Sequence, residues 1–348
     1  MMSRPIPLKL LDTGPRDRLD RPLHDLRISV LDRCNFRCPY CMPEEDYPRD
    51  HRFLGKAERL RFEEITRLAG LFAGLGVRKL RLTGGEPLLR RDLPALVGML
   101  AALPGIEDIA LTTNGSLLAS RVQALRDAGL GRITLSLDTV DPETFRQMSG
   151  GQGDLAVVLD AIAAAERAGY TQMKINCVVM RGVNDHQVPA LVERFRGSGH
   201  VVRFIEYMDV GTCNGWKLDR VVPSAELRDR IAARWPLVAL PANYNGEVAS
   251  RYRFADGAGE IGFISSVSEP FCGDCSRARL SADGRLYTCL FGRSGHDLRG
   301  ALRAGADDAE LSRLIRAVWC ARGDRYSELR GLRTPQPGER VEMYEIGG

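Results

Sequence analysis

Three thiols fall within eight residues, in the run Cys34-Asn35-Phe36-Arg37-Cys38-Pro39-Tyr40-Cys41. Their spacing is C-x3-C-x2-C. Thiolates are soft ligands, and a cluster of them selects zinc, copper(I) or an iron–sulfur cluster. Iron–sulfur clusters usually take four cysteines, and no fourth follows closely here. A four-iron–four-sulfur (4Fe–4S) cube on Cys34, Cys38 and Cys41 leaves one iron open to a small molecule. A structural zinc site prefers four closed ligands, often as C-x2-C pairs. The run fits that poorly, and His51 would have to complete it.

A second thiol group lies in the last third of the chain. Cys272 and Cys275 form a C-x2-C pair, and Cys289 follows after thirteen intervening residues. Two accounts stand: zinc with His296 as fourth ligand, or a second cluster with one iron offered to a substrate. Cys177, Cys213 and Cys320 stand apart and read as ordinary buried cysteines. Arg277 and Arg279 flank Ala278 just after Cys275. In an extended segment their side chains share a face, which makes a phosphate clamp; otherwise they are solvated surface arginines.

Further cations fall inside segments that read as strands: Arg27, Lys79, Arg81, Lys174 and Arg203. A buried, unpaired charge costs several kcal/mol, so together these residues predict a polar, basic lumen with an anionic ligand. No G-x-x-x-x-G-K-[ST] loop is present, so side chains rather than a P-loop must hold any triphosphate. Gly84-Gly85-Glu86-Pro87 follows a strand and suits the ammonium of a small zwitterion, through backbone carbonyls and Glu86.

The elements that must position these residues alternate. Predicted strands cover Leu26–Leu31, Val77–Leu82, Asp108–Thr112, Arg132–Leu137, Met173–Met180 and Val201–Tyr207. Predicted helices cover Phe62–Leu75, Leu93–Leu103, Leu117–Ala128, a stripe through Leu155, Val158, Leu159, Ile162 and Ala163, and Val188–Phe195. Strand-to-strand spacing suits βαβ units. The Cys34–Cys41 loop, Gly84–Glu86, Thr113–Gly115 and Ser136/Asp138 all follow strands, and so should share the carboxyl face where such folds bind ligands. After about Asn214 the pattern changes to a short helix, Ser224–Arg234, antiparallel pieces at Ser250–Phe254 and Glu260–Ser265, a hairpin turning at Asp283-Gly284, and a helix Ala309–Ala321. The expected architecture is α/β: a partial (β/α)6 TIM-type barrel with a C-terminal α+β region closing the barrel mouth. Residues 1–22 read as an arm, 23–213 as the barrel and 214–348 as the C-terminal region.

Composition bounds the class. The chain has 348 residues, 44% apolar and 27% charged, ordinary for a globular protein. Nine cysteines are too sparse for a disulfide scaffold, and six fall in the two groups, which points to a reducing compartment. Met1–Gly14 has no apolar stretch of a secretory signal. Leu93–Ile106 is interrupted by Pro94 and Pro104 and is too short to span a bilayer. A cytoplasmic protein is expected, with no membrane association. A net charge of +4 is too weak to argue for nucleic acid.

The first motif, with an aromatic before its last cysteine, resembles the radical S-adenosylmethionine (SAM) superfamily. Arg27-Ile28-Ser29 leading to Cys34–Met42, Thr83–Pro87, Thr112–Gly115, Ser136–Asp138, Phe204–Asp209, Cys272–Arg279 with Cys289, and Gly347-Gly348 together resemble one family within it, the GTP 3′,8-cyclases of molybdenum cofactor biosynthesis. The likeness runs from about Leu23 to the C-terminus. It implies that Cys34, Cys38 and Cys41 hold a 4Fe–4S cluster whose open iron binds SAM, and that Tyr40, Gly85, Ser136 and Met208 contact SAM. Cys272, Cys275 and Cys289 would hold a second 4Fe–4S cluster that binds guanine. Arg27, Arg81, Thr112, Lys174, Arg277 and Arg279 would hold GTP, with Ala278 contributing backbone. Arg277, Arg279, Gly347 and Gly348 would serve catalysis, the Gly-Gly tail reaching where no side chain fits. The implied reaction cleaves SAM to a 5′-deoxyadenosyl radical, takes the ribose 3′ hydrogen of GTP, and closes a bond to C8 of guanine. The resemblance also implies an electron donor such as a flavodoxin system and a downstream partner, cyclic pyranopterin monophosphate synthase; it leaves room for a homodimer. Two other classes compete: a two-cluster radical SAM enzyme acting on a peptide, and a zinc protein without catalysis.

Overall fold

Strand β1 (Asp25–Ser29) shows the rule that builds the barrel. Leu26 and Ile28 are fully buried in the core shared with the helices, while Asp25 and Arg27 point into a central cavity. Successive side chains of a strand face opposite sides, so one alternation makes both an apolar outer layer and a charged lumen. The same alternation runs through β2 (Lys79–Thr83), β3 (Asp108–Thr113), β4 (Arg132–Ser136), β5 (Lys174–Val179) and β6 (Val201–Glu206). These six strands pair in parallel, in chain order. The computed structural model describes residues 14–47, 50–244, 246–330 and 340–348; residues 1–13 of the expected N-terminal arm lie outside them.

The connecting helices bury one stripe each. Helix Phe62–Gly74 turns Ile65, Leu68, Ala69 and Phe72 to the sheet, and Glu64 closes its first turn by accepting from the Arg61 backbone at 2.7 Å. Leu155–Arg167 starts at Asp154, whose side chain caps Ala156. Two elements differ from expectation. The helix expected at Leu117–Ala128 shrinks to Val122–Asp127, because the residues before it form hydrogen-bonded turns from Gly115 to Arg121. A helix at Pro142–Met148 went unread, although Asp141 followed by Pro142 is a cap-and-first-turn signature and Asp141 does cap Thr144 at 2.8 Å.

The C-terminal region is more than a cover. Its strands β7 (Leu237–Leu240), β8 (Ser250–Phe254), β9 (Glu260–Ile264), β10 (Arg277–Leu280), β11 (Arg285–Tyr287) and β12 (His296–Asp297) extend the barrel sheet at both edges. Among the described residues the sheet has twelve strands, in the order β12-β11-β10-β1-β2-β3-β4-β5-β6-β9-β8-β7. β9 joins β6 and β10 joins β1 in parallel, so only the outer strands are antiparallel. This direction fixes where the region closes the barrel. Cys272 and Cys275 lead into the first residue of β10, which pairs with Asp25 at the amino end of β1, whereas Cys34–Cys41 follow the carboxyl end of β1. The segment that carries Cys272 and Cys275 therefore lies at the amino-terminal end, opposite the Cys34–Cys41 loop, while the last residues of the region return to that loop, Tyr344 clustering with Met42 and Tyr47. With five-residue strands rising about 3.3 Å per residue, the two thiol groups stand roughly 16 Å or more apart along the barrel. Among the described residues no helix is long and apolar enough to cross a membrane.

Candidate active site

The Cys34–Cys41 loop is held by backbone on backbone. Gly85 donates to the Leu31 carbonyl at 2.7 Å and Glu86 to the Arg33 carbonyl at 2.9 Å. A Cβ on Gly85 would overlap Arg33, so glycine is what lets the two loops touch. Glu86 departs from expectation. It is 1% exposed, and its carboxylate accepts from Leu88 N at 2.9 Å, Thr113 Oγ1 at 2.8 Å and Asn114 N at 2.8 Å. It staples the loop after β2 to the loop after β3 rather than offering itself to a ligand's ammonium. Burial raises it to about 7, against these hydrogen bonds.

Burial pushes the Cys34 thiol up to about 12, and raises Cys38 and Cys41 as well, each feeling its neighbouring sulfurs. Three thiols thus share one desolvated pocket in which deprotonation requires a cation, and metal binding would release their protons. Among the described residues no three His, Cys, Asp or Glu are grouped around one point as a single ion needs; each thiolate of a cube binds its own iron. His51 packs edge-on against Tyr47 and Phe53, at 5.0 and 4.7 Å between ring centres. Tyr40 is buried, its hydroxyl donating to Asp138 Oδ2 at 2.8 Å. Ser136 ends β4 beside Asn176 of β5.

The lumen is a cavity open at its rim. It brings together the thiols of Cys272, Cys275 and Cys289, the expected substrate contacts Arg27, Arg81, Thr112, Lys174, Arg277 and Arg279, and Met208 and Gly348. Ala278 is fully buried in β10 opposite Leu26. Cys34, Cys38, Cys41, Tyr40, Gly85 and Ser136 are not among its walls; Met208 and Gly348 carry the lumen toward them. Three wall cations meet neutral acceptors: Arg81 donates to Thr112 and Thr134 hydroxyls at 3.0 and 2.9 Å, Arg203 to Asn176 Oδ1, and Arg279 to the carbonyl of Gly347; Arg277 reaches Cys275 Sγ at 3.3 Å and leaves its Nε buried without a partner. Burial, then the charges of Arg279, Arg277 and Arg81, depress Arg27, and burial with Arg203, Arg132 and Arg81 brings Lys174 down to about 7. Burial opposes the Cys275 thiolate, but Arg277 and Arg322 outweigh it and hold that thiol near 6.

Sequence reasoning flagged Lys79 and Arg203 as lumen charges but missed Arg132, Asn176, Tyr244, Arg322 and Asp324, which also line the cavity. Tyr244 covers Lys79 at 3.5 Å from its ring centre. Alternation within β4 and β5 carried the signal for Arg132 and Asn176; nothing local marks the other three. Of the isolated thiols only Cys177 is buried as expected: Cys213 is half-buried and Cys320 exposed.

The tail is built into the site. A helix at Met343–Ile346 ends at Gly347, whose φ of 73° favours glycine, and a Cβ there would fall inside the Thr83 side chain. Glu342, just before that helix, accepts from Thr212 N at 2.8 Å and Oγ1 at 2.9 Å and meets Cys213 Sγ at 3.0 Å. Arg340 donates to the Asp209 carbonyl at 2.6 Å.

Comparison with known proteins agrees with this geometry. A family profile described as Radical SAM superfamily matches residues 28–195, and one described as Molybdenum Cofactor Synthesis C matches 200–328. The chain is 61% identical to a GTP 3′,8-cyclase of Xanthomonas axonopodis pv. citri over 97% of this chain and 100% of the relative. It is 53% identical to one of Acidothermus cellulolyticus over 96% and 99%. Among solved structures, Streptococcus suis SuiB bound to precursor peptide SuiA superposes with a TM-score of 0.62 at 14% identity, covering 93% of this chain and 76% of that one, a likeness of fold. The chain therefore belongs to the GTP 3′,8-cyclase family of radical SAM enzymes.

Proposed function

We propose that the lumen binds GTP and that the protein converts it to (8S)-3′,8-cyclo-7,8-dihydroguanosine 5′-triphosphate, the first step of molybdenum cofactor biosynthesis. One observation carries this reading. Ten cationic side chains line the cavity (Arg21, Arg27, Lys79, Arg81, Arg132, Lys174, Arg203, Arg277, Arg279, Arg322); Arg21 and Arg322 pair with Asp17 and Arg132 with Asp108, which leaves seven facing the carboxylates of Asp25 and Asp324. Such an excess favours a polyanionic ligand, which would relieve the repulsion among the cations, and a triphosphate supplies it.

In this reading Cys34, Cys38 and Cys41 hold one 4Fe–4S cluster with SAM, near Tyr40, Gly85, Ser136 and Met208, and Cys272, Cys275 and Cys289 hold the other beside the guanine. Half-buried thiols at a loop fixed by Gly85 and Glu86 suit that role. With SAM bound, the first cluster supplies a 5′-deoxyadenosyl radical as acceptor for the ribose 3′ hydrogen. The chain's own residues do the rest. Arg27, Arg81, Lys174, Arg277 and Arg279 neutralise the phosphates and set the ribose at one height in the barrel, an orienting contribution. Thr112 and the backbone at Ala278 bound the sugar and base. The Gly347-Gly348 tail fills the space between ribose and SAM and excludes water. Residues 23–213 handle SAM, and 214–348 carry the second cluster and the tail. The protein works in the cytoplasm, draws electrons from a donor such as a flavodoxin system, passes its product to cyclic pyranopterin monophosphate synthase, and can form a homodimer.

Anaerobically reconstituted protein with SAM and a low-potential reductant tests the reading. About eight irons per chain and 5′-deoxyadenosine formed only with GTP would support it. Equal 5′-deoxyadenosine with or without GTP, and no cyclised nucleotide, would refute it.

A further inference from the structure

The arm of the chain before β1 reaches the second thiol loop. Asp17 and Arg21 are 7% and 2% exposed. Arg21 Nε donates to Asp17 Oδ2 at 2.6 Å, while Asp17 Oδ1 accepts from the backbone N–H groups of Leu19 and Arg21 at 2.9 and 3.0 Å. From that anchored position Arg21 Nη1 donates to the Cys272 carbonyl at 2.7 Å and the Asp324 carbonyl at 2.8 Å. Arg322, 4% exposed, meets the same oxygen of the Asp17 carboxylate. Its Nη1 lies 3.4 Å from Asp17 Oδ2 and donates to the Cys275 carbonyl at 2.6 Å. One buried carboxylate therefore aligns two guanidiniums, and each grips the backbone of one cysteine. Trp319 Nε1 closes the unit by donating to the Arg21 carbonyl at 3.1 Å.

Burying three charges is costly, and a hydrophobic packing would dock the arm at lower cost. What the charged unit adds is direction. A guanidinium fork holds a carbonyl in a defined plane. Between Cys272 and Cys275 the loop has only a short turn, its backbone bond running from Cys275 N to Cys272 O at 3.3 Å. Fixing both carbonyls fixes the peptide planes from which both thiols project.

We propose that Asp17, Arg21 and Arg322 are positioning residues of the second cluster, holding the Cys272–Cys275 loop in its ligating shape. The arm is then part of the active site, not a tether. The inference rests on the reading that Cys272, Cys275 and Cys289 hold a 4Fe–4S cluster, and the test separates the two.

Full-length Asp17→Asn and Arg21→Met are reconstituted anaerobically beside wild type and Cys272→Ser, and iron release to a chelator is followed with the midpoint potential of each cluster. Partners behind metal ligands contribute about 10–100-fold to metal affinity, so second-site iron should leave about 10–100-fold faster in both variants. First-site iron, read alone in Cys272→Ser, should leave at the wild-type rate, and the potential of the second cluster alone should shift. Arg21→Lys keeps a charge, but its one nitrogen cannot stand both beside Asp17, where Nε lies, and between Cys272 and Asp324, where Nη1 lies; it should still shed second-site iron faster than wild type. Wild-type release and unchanged potentials in the variants would overturn the proposal, and so would equal acceleration at both sites. A Cys272→Ser protein that keeps all its iron would overturn the cluster reading and this inference with it.

Discussion

Arg279 is 4% exposed and spends its hydrogen bonds on the carbonyls of Ile346 and Gly347, not on a carboxylate. Its charge stays available to a phosphate while its fork holds the tail. Charge-assisted hydrogen bonds contribute about 1.5–3 kcal/mol each. Arg279→Ala should therefore weaken GTP binding roughly 10–100-fold and lower turnover further, with iron and sulfide content unchanged; wild-type affinity by calorimetry would count against it. Lys174 gives a pH signature. In the ligand-free lumen its pKa sits near 7 because it is desolvated and ringed by Arg203, Arg132 and Arg81. A triphosphate removes that penalty, so binding above pH 7 takes up a proton and GTP affinity should fall as pH rises; Lys174→Met should flatten the slope. The sign for stability is opposite. Between about 7 and the ordinary lysine value of 10.5 the unfolded chain binds more protons than the folded one, so ligand-free stability should rise with pH across that window. Thermal melts of wild type and Lys174→Met check it. At this scale residue type was a good guide. Cations within strands found the lumen, because alternation fixes their direction. It did not show that the Glu86 carboxylate accepts from Leu88, Thr113 and Asn114, because the last two lie at the end of another strand.

At the scale of elements, the tail helix Met343–Ile346 depends on contacts just before it. Glu342 caps the backbone and hydroxyl of Thr212, and Arg340 holds Asp209, on the segment that follows Met208. Loss of these hydrogen bonds, worth about 0.5–1.5 kcal/mol each, should let the tail leave the lumen. Glu342→Ala should speed carboxypeptidase removal of the terminal glycines and reduce turnover, with both clusters kept; unchanged digestion would show that the tail is held otherwise. Gly347→Ala should act more sharply, because its φ of 73° costs an alanine about 1–2 kcal/mol and its Cβ meets Thr83. Turnover should collapse while the melting temperature changes little. The barrel helices were legible because their apolar stripes and caps are local. The parallel docking of β9 and β10 was not, since each pairs with a strand distant in sequence and nothing in a short strand states its partner's direction.

The whole molecule is a polar tube with a thiol group at each end. Its βαβ rhythm was readable from spacing, and the resemblance covered nearly the whole chain. Which end the second thiol group occupies was not readable, because that depends on pairing Asp25 with Arg277, 252 residues apart in number. The consequence is functional. In the proposed reading the base sits at the amino-terminal end, beside Cys272, Cys275 and Cys289, and the ribose points toward SAM at the other, with the cations between them. Hydrogen transfer must then cross from one end's ligand to the other's. GTP deuterated at C3′ tests this most directly, in an anaerobic single turnover with SAM and reductant. The account predicts deuterium in the 5′-deoxyadenosine methyl group, together with a cyclised triphosphate. Unlabelled 5′-deoxyadenosine formed alongside that same product would contradict it.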